Sequence, residues 1–380
     1  MALTAVGFSA LLWIAVLLLP WRPWSTRERL HLRELTNCRN LNDVTVLMPA
    51  RNEAGCISET LKRLDAQGQF HQIIVIDDQS DDGTKEAAQS TNIKDLLVVD
   101  GTTPPTEWSG KLWALHQGLR FAESKYVMLL DADIGLEEGV VCALLEHLET
   151  NDLDMVSVMA NLHMQQFWEK LLLPPFVYFF KMIYPFALAN SMKSNIAAGA
   201  GGCVLVATSK LREIGGFSSL KDAIIDDCTL ARKIKGIRGR IWIGLSNDAR
   251  ALRPYGDLAN IWNMVARTAF TQLRYSVLLL LICTALLAIS FVVPVVGIFT
   301  GDSAVQGLSG IALVAMYATY WPTIKFYDLS FIWILTLPVA ALLFLAMTWT
   351  SALRYWRGER SRWKNRSYVR AENDDHGIEE

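Results

Sequence analysis

The chain has 380 residues, 52% of them hydrophobic, with 36 lysines and arginines against 38 aspartates and glutamates. A formal charge of −2 gives no field to draw in nucleic acid, so that partner class is set aside. Cys38, Cys56, Cys142, Cys203, Cys228 and Cys283 show no CxxC spacing, which argues against a disulfide framework or zinc site and for reduced thiols.

Residues 1–21 carry no charge and are followed by Arg22, Arg27, Arg29 and Arg33. A cleaved leader has its basic residues before the apolar core and small residues at the cut. Here the order is reversed and Pro20-Trp21 ends the run, so an N-terminal membrane anchor is expected, with its C-terminal side in the cytoplasm.

From residue 22 to 276 short apolar runs alternate with helical patterns. The runs are 44–48, 73–76, 96–99, 126–130 and 155–158, each rich in the residue types of strands covered on both faces. Helices are expected at 57–66, 111–122 and 136–148. This order predicts a doubly wound α/β domain with a mostly parallel sheet, whose ligands bind at the C-terminal strand ends.

Acidic motifs fall at those ends. Asp77 and Asp78 close the second run, suited to accept hydrogen bonds from a nucleoside base and ribose. Asp131-Ala132-Asp133 closes the fourth. On an extended backbone two carboxylates at this spacing share a side and hold a divalent cation, Mg²⁺ or Mn²⁺ by the hardness of their oxygens. Asp133 is the better direct metal ligand, with Asp131 on ribose or on the metal through water. Lys111 opens a helix, a place that attracts anions. Asp226-Asp227 precedes a basic helix. Capping explains one of the pair, and Asp227 is read as a general base with Asp226 positioning it. On an expected long helix from Asp257, Arg267, Thr271 and Arg274 share a face suited to clamping a diphosphate. The histidines form no ligand pattern, and none is given a catalytic role.

The aromatic-rich segment 165–190 contains Pro174-Pro175 and Lys181. It reads either as a buried core helix or as a segment lying on a bilayer. Three further apolar stretches follow, at 277–299, 304–322 and 329–351, within a region 277–353 expected to form membrane helices. A tail at 354–380, basic and then acidic, belongs in the cytoplasm by its arginines. Three full crossings would place it outside. The Gly-, Ala- and Ser-rich middle stretch is therefore expected to be re-entrant or to lie against the other helices.

These motifs resemble the family 2 glycosyltransferases of GT-A fold. The likeness rests on Met48-Pro49-Ala50-Arg51-Asn52-Glu53, residues 75–84, Asp131-Ala132-Asp133 and Ile225-Asp226-Asp227. Within that family the chain is most similar to hopene-associated membrane enzymes, through residues 108–114, 200–203, Leu252-Arg253-Pro254-Tyr255, 267–275 and 363–368. The apolar spans and the aromatic segment point to a lipid or polyisoprenoid hydroxyl as acceptor, and the resemblance implies inverting transfer to it from a nucleotide-diphosphate sugar, a UDP-sugar being expected. It implies a multi-pass protein of the bacterial inner membrane with its catalytic domain in the cytoplasm.

The resemblance also implies residue roles. Pro49, Arg51, Glu53, Asp77 and Asp78 would surround the nucleoside, with Lys111 at the phosphates. Asp131 and Asp133 would place the metal, and Gly201 and Gly202 would lie where sugar and acceptor meet. Gln272, Arg274 and Tyr275 stand where relatives carry Gln-x-x-Arg-Trp, here shortened by one residue. Two rival readings stay open: a polyprenyl-phosphate sugar transferase, and a non-catalytic scaffold of a lipid-synthesis complex.

Overall fold

The computed structural model describes residues 2–32, 40–363 and 366–369. Arg33, Cys38, Lys364, Arg370 and His376 lie outside them. The chain divides into two compact units.

The first unit comprises Thr26–His163 and Ile183–Pro254. Its sheet is built from β1 (Asn40–Ala50), β2 (Gln69–Asp77), β3 (Leu96–Asp100), β4 (Tyr126–Leu130), β5 (Ile134–Leu136), β6 (Met155–Asn161), β7 (Cys203–Ala207) and β8 (Ile241–Ala251). The spatial order is β3-β2-β1-β4-β7-β6-β8-β5. Pairs β1/β2, β2/β3, β1/β4 and β6/β8 are parallel. Strand β7 runs antiparallel to both β4 and β6, and β5 antiparallel to β8. The sheet is thus mixed, with parallel pairs in the majority as the expected mostly parallel sheet requires.

The continuous apolar runs follow from two cores, one on each face of the sheet. Val46 and Met48 of β1, Ile73 and Val75 of β2, and Met128 and Leu130 of β4 pack with Ile57, Leu61 and Leu64 of the helix Ile57–Asp65. The intervening residues Leu47, Ile74, Ile76, Val127 and Leu129 pack with Leu112 and Leu115 of the helix Gly110–Leu119. Successive side chains on a strand point to opposite faces, so both sets must be apolar. Because β1, β2 and β4 are parallel, their C-terminal ends meet on one edge, where the acidic motifs sit.

Two expected elements shift. The helix expected from Leu136 begins at Val140, and Leu136 lies in β5. The helix expected from Asp257 is interrupted. Asp257 caps Leu258–Ala266 through its side chain, the chain turns at Arg267 and Thr268, and a short helix Ala269–Gln272 follows. Cys142 is disulfide-bonded, unlike the free Cys56, Cys203, Cys228 and Cys283, so wholly reduced thiols are not what the structure contains.

The second unit groups residues Met1–Ser25, Met164–Met182 and Tyr255 onward. Residues 164–182 and 255–276, read from the sequence as part of the catalytic domain, cluster here with the apolar helices. The helices Val277–Gly297 (21 residues) and Phe331–Trp356 (26 residues) are long and apolar enough to cross a membrane. The N-terminal apolar helix Ala2–Leu18 has 17 residues, about 25 Å at ~1.5 Å per residue, and is cut off by the turn at Pro20. Among the described residues, helices of spanning length are therefore found at the C-terminal end and not clearly at both ends.

The middle stretch forms one continuous helix, Ser303–Phe326, which packs on Ala2–Leu18. Small residues permit this closeness. A Cβ on Gly297 would fall 2.1 Å from the Ser309 hydroxyl, and one on Gly7 would sit 3.9 Å from Leu308. Trp13, Tyr178, Met316 and Tyr320 fill the centre of this unit. The helix Phe167–Ile183 contributes two buried charged residues. Glu169 accepts backbone N–H bonds from Gln165, Gln166 and Tyr255, and Lys181 donates to the Ser25 carbonyl.

Gly101 follows β3 and donates to the Asp77 carbonyl at 2.8 Å, and a Cβ there would sit 2.8 Å from that same oxygen. Backbone cannot swing aside as a side chain can. Gly101→Ala is expected to lower stability by about 1–3 kcal/mol, read as an earlier midpoint in urea unfolding.

Candidate active site

The first part of the site is the turn after β1 and the turn after β2. Asp77 and Asp78 are buried, at 7% and 1% exposure. The Asp78 amide donates to the Ala50 carbonyl (2.7 Å), and the Arg51 guanidinium donates to the Asp78 carbonyl (2.5 Å). Asn52 receives Ser80, its amide donating to that hydroxyl at 3.0 Å. Asp82 accepts from the Ala54 and Thr84 amides (3.0 and 3.1 Å) and so ties the two turns together. The acidic run at 77–83 is therefore partly a device for locking loops. One buried oxygen of Asp77, Oδ1, has no hydrogen-bond partner. It suits a ligand N–H or O–H, because an unsatisfied buried acceptor is costly.

The second part gathers around Lys111. The helix Gly110–Leu119 is capped by Ser109, whose hydroxyl accepts from the Leu112 amide. Its second residue, Lys111, places Nζ 2.7 Å from Asp131 and 3.9 Å from Asp226. Asp226 and Asp227 form the first turn of the helix Asp226–Gly236, whose N-cap is Ile225, with no side-chain cap. Capping thus does not account for either carboxylate. Asp227 accepts from the Gly201 amide (2.9 Å) and the Cys228 amide (2.7 Å).

Gly199 makes this approach feasible, since a Cβ there would fall 2.8 Å from the Asp227 carbonyl; one on Gly201 would sit at ordinary contact distance, 3.4 Å, from Lys111 Nζ. Pro49, Lys111, Asp131, Gly201, Asp226 and Asp227 line one cleft of about 370 Å³ with an apolar floor.

Electrostatics follow from this crowding. Burial, and then the neighbouring charge of Asp226, push Asp227 up to about 6. Burial acts to lower the Lys111 pKa, but Asp131 and Asp226 outweigh it and raise the ammonium well above its ordinary value.

Not every expected residue joins this group. The Asp131 carbonyl accepts from the Ile134 amide at 3.0 Å, which makes residues 131–134 a turn rather than extended backbone. The expected sharing of a side by Asp131 and Asp133 therefore loses its geometric premise. Asp131 turns to Lys111, while the Asp133 carbonyl accepts from the Leu252 amide (2.8 Å). Asp133 and Gly202 are outside the cleft lining, although the Gly202 carbonyl holds the Asp131 amide (3.1 Å).

Gln272, Arg274 and Tyr275 belong to the other compact unit. There Tyr275 stacks on Tyr355, with centroids 4.3 Å apart, and the Thr271 hydroxyl donates to the Tyr275 hydroxyl at 3.1 Å. The shared face expected of Arg267, Thr271 and Arg274 does not survive the interruption at 267–268, and Arg274 takes a left-handed backbone, φ 51°.

Among the described residues no three His, Cys, Asp or Glu side chains form a ready metal cage. The donor set still fits a hard cation. Mg²⁺ and Mn²⁺ sites of this kind use one or two carboxylates and complete the shell with water and substrate phosphates.

One contributor was missed from the sequence. Arg253, just past β8, pairs with Glu53 and donates to the Asn52 carbonyl (3.3 Å). The pair joins residues 200 apart in sequence, so only the Leu252-Arg253-Pro254-Tyr255 motif pointed towards it. Arg253→Ala releases the turn that follows Pro49. It is expected to lower the urea unfolding midpoint, because the burial of Glu53 is no longer offset by this pair, while leaving the cleft around Asp227 intact.

Residues 45–215 match the family model Glycosyl transferase family 2. A 4,4'-diaponeurosporenoate glycosyltransferase of Staphylococcus haemolyticus (strain JCSC1435) is 34% identical over 93 residues, 24% of each chain. A poly-beta-1,6-N-acetyl-D-glucosamine synthase of Staphylococcus aureus (strain MSSA476) is 29% identical over 144 residues, 37% of this chain and 34% of that one. The matched segments thus span about a quarter to a third of these relatives. A mannosyltransferase from Pyrobaculum calidifontis, solved with GDP-Man and Mn²⁺, shares the fold at a TM-score of 0.52 and 18% identity, over 90% of this chain and 99% of that one. Residues 45–215 carry a glycosyltransferase family 2 domain.

Proposed function

We propose that this protein is an inverting, divalent-metal-dependent glycosyltransferase. It would move a sugar from a nucleotide-diphosphate donor, UDP-sugar being the first to test, to the hydroxyl of a lipid or polyisoprenoid, with hopanoid-related acceptors included. The observation that carries the reading is the convergence of Lys111, Asp131, Asp226 and Asp227 on one cleft.

In this reading Asp77 and Asp78 meet the nucleoside, Arg51 and Glu53 brace their turn, and Pro49 forms the cleft wall beside them. Asp131, with Asp133, would hold the Mg²⁺ or Mn²⁺, which when bound neutralises charge on the departing diphosphate. The acceptor hydroxyl lies at Asp227. As its oxygen bonds to the anomeric carbon, Asp227 takes its proton and the bond from that carbon to the diphosphate oxygen breaks on the opposite side. The electron pair leaves with the nucleotide and the anomeric configuration inverts. Asp226 keeps Asp227 basic, since its charge raises the proton affinity of its neighbour. Gly201 leaves room at the point of transfer, beside Gly202.

Support for a lipid acceptor comes from the relative named for 4,4'-diaponeurosporenoate and from the two helices long enough to cross a bilayer. A multi-pass place in the bacterial inner membrane, with the catalytic unit on the cytoplasmic side, agrees with the arginines after residue 21. Arg267, Gln272, Arg274 and Tyr275 are candidates for contact with donor phosphates or acceptor.

The test is a donor panel supplied with Mn²⁺ and membrane lipid extract, read by mass spectrometry for new glycolipids. A hexose or N-acetylhexosamine mass added to a lipid supports the proposal. No product with any donor contradicts it. Asp227→Asn is expected to lower kcat by about 10²–10⁴ with the melting temperature little changed. Retained activity would favour a phosphate acceptor, which needs no base. A base near 6 must be deprotonated to work, so activity is expected to fall as pH drops through about 6, measured as kcat/KM against pH.

A further inference from the structure

The Lys111 ammonium lies against two carboxylates of this cleft. Its Nζ lies 2.7 Å from Asp131 Oδ1 and 3.9 Å from Asp226 Oδ2, and only 22% of its side chain is exposed. Gly201 presents no side chain, and a Cβ there would come within 3.4 Å of Nζ and 3.5 Å of Asp227 Oδ2. The lysine stem rises from the second residue of a helix fixed at its start by Ser109 and packed through Leu112 and Leu115 into the core. The backbone is held, while the head group sits on a four-carbon stem whose single bonds allow it a second position.

We propose that Lys111 is a stand-in for the divalent cation: it occupies Asp131 in the free protein, yields that carboxylate when metal and donor enter together, and moves to the donor diphosphate. This rests on the transferase reading above and adds an order to it. Three carboxylates close together repel one another, so they need a cation whether or not donor is bound. With the ammonium in place their net charge is −2. A divalent cation entering with a diphosphate of charge −2 leaves that total unchanged, so the exchange makes no new charge imbalance. The ammonium then gains phosphate oxygens in place of one carboxylate oxygen. The consequence is that metal alone binds weakly, because it must displace Lys111, and that metal and nucleotide bind cooperatively.

The test uses the full-length protein and two probes, Mn²⁺ alone and UDP in saturating Mn²⁺, by calorimetry or by the electron paramagnetic resonance signal of free Mn²⁺. In Lys111→Met the affinity for Mn²⁺ alone is expected to rise by roughly tenfold, and that for UDP with Mn²⁺ to fall by roughly tenfold, the scale of one charge-assisted hydrogen bond. The opposite signs are the signature, because general damage to the cleft weakens both. Asp131→Asn is expected to lose the Mn²⁺ gain when combined with Lys111→Met. If Lys111→Met does not fold, Lys111→Gln, neutral and polar, serves in its place. Unchanged or weaker Mn²⁺ binding in the neutral variant overturns the proposal, while UDP binding by the parent protein leaves the transferase reading standing. If the parent binds neither Mn²⁺ nor UDP, both fall.

Discussion

Three carboxylates, those of Asp131, Asp226 and Asp227, gather around one ammonium at the C-terminal edge of a buried sheet. At about 4 Å two unit charges interact by ~4 kcal/mol at an effective dielectric of 20, so such a group persists only where the backbone enforces it. The enforcement is visible residue by residue. The Gly202 carbonyl holds the Asp131 amide, and the Gly201 amide holds the Asp227 carboxylate. The missing side chain of Gly199 lets the Asp227 backbone come close. These glycines lie just before β7, the strand that runs antiparallel between β4 and β6. Strand β7 thus joins the Asp131 end of the sheet to the helix that begins at Asp226.

The same architecture separates two tasks. The turns after β1 and β2 are knitted by Arg51, Asn52, Asp82 and the Glu53–Arg253 pair. That network makes a rigid wall with one unsatisfied acceptor, Asp77 Oδ1. The Lys111 group is different, since its members are partly open and its charges are poised rather than consumed. A fixed wall beside a poised charge cluster is what recognition of a nucleoside next to chemistry on its diphosphate requires.

Much of this was legible in the sequence. The five apolar runs became β1, β2, β3, β4 and β6, because strands covered on both faces must be apolar at every position. Reading strand ends as ligand sites pointed to Asp77, Asp78 and Asp131, whereas Asp226 and Asp227 were singled out by their place before a basic helix. What was illegible was long-range. Strand β8 carries Ser246, Asn247, Asp248 and Arg250 and shows no alternation, because its partners come from β6 and β5 rather than from its own pattern. The turn at Asp131–Ile134 depends on the Thr60 hydroxyl holding the Ala132 carbonyl at 2.7 Å, a contact across 72 positions. The grouping of residues 164–182 with the apolar helices is also tertiary. Buried Glu169 serves backbone amides from Gln165 to Tyr255, which no local periodicity reveals.

In the proposed reading these separated acidic motifs serve a single donor site, with the cation held at Asp131 and Asp133. The most direct measurement is calorimetric binding of UDP and GDP to the parent protein and to Asp131→Asn, with and without Mn²⁺. One nucleotide is expected to bind only with Mn²⁺, and Asp131→Asn to abolish this dependence together with tight binding. Equal affinity with and without the metal, unchanged by Asp131→Asn, would contradict it.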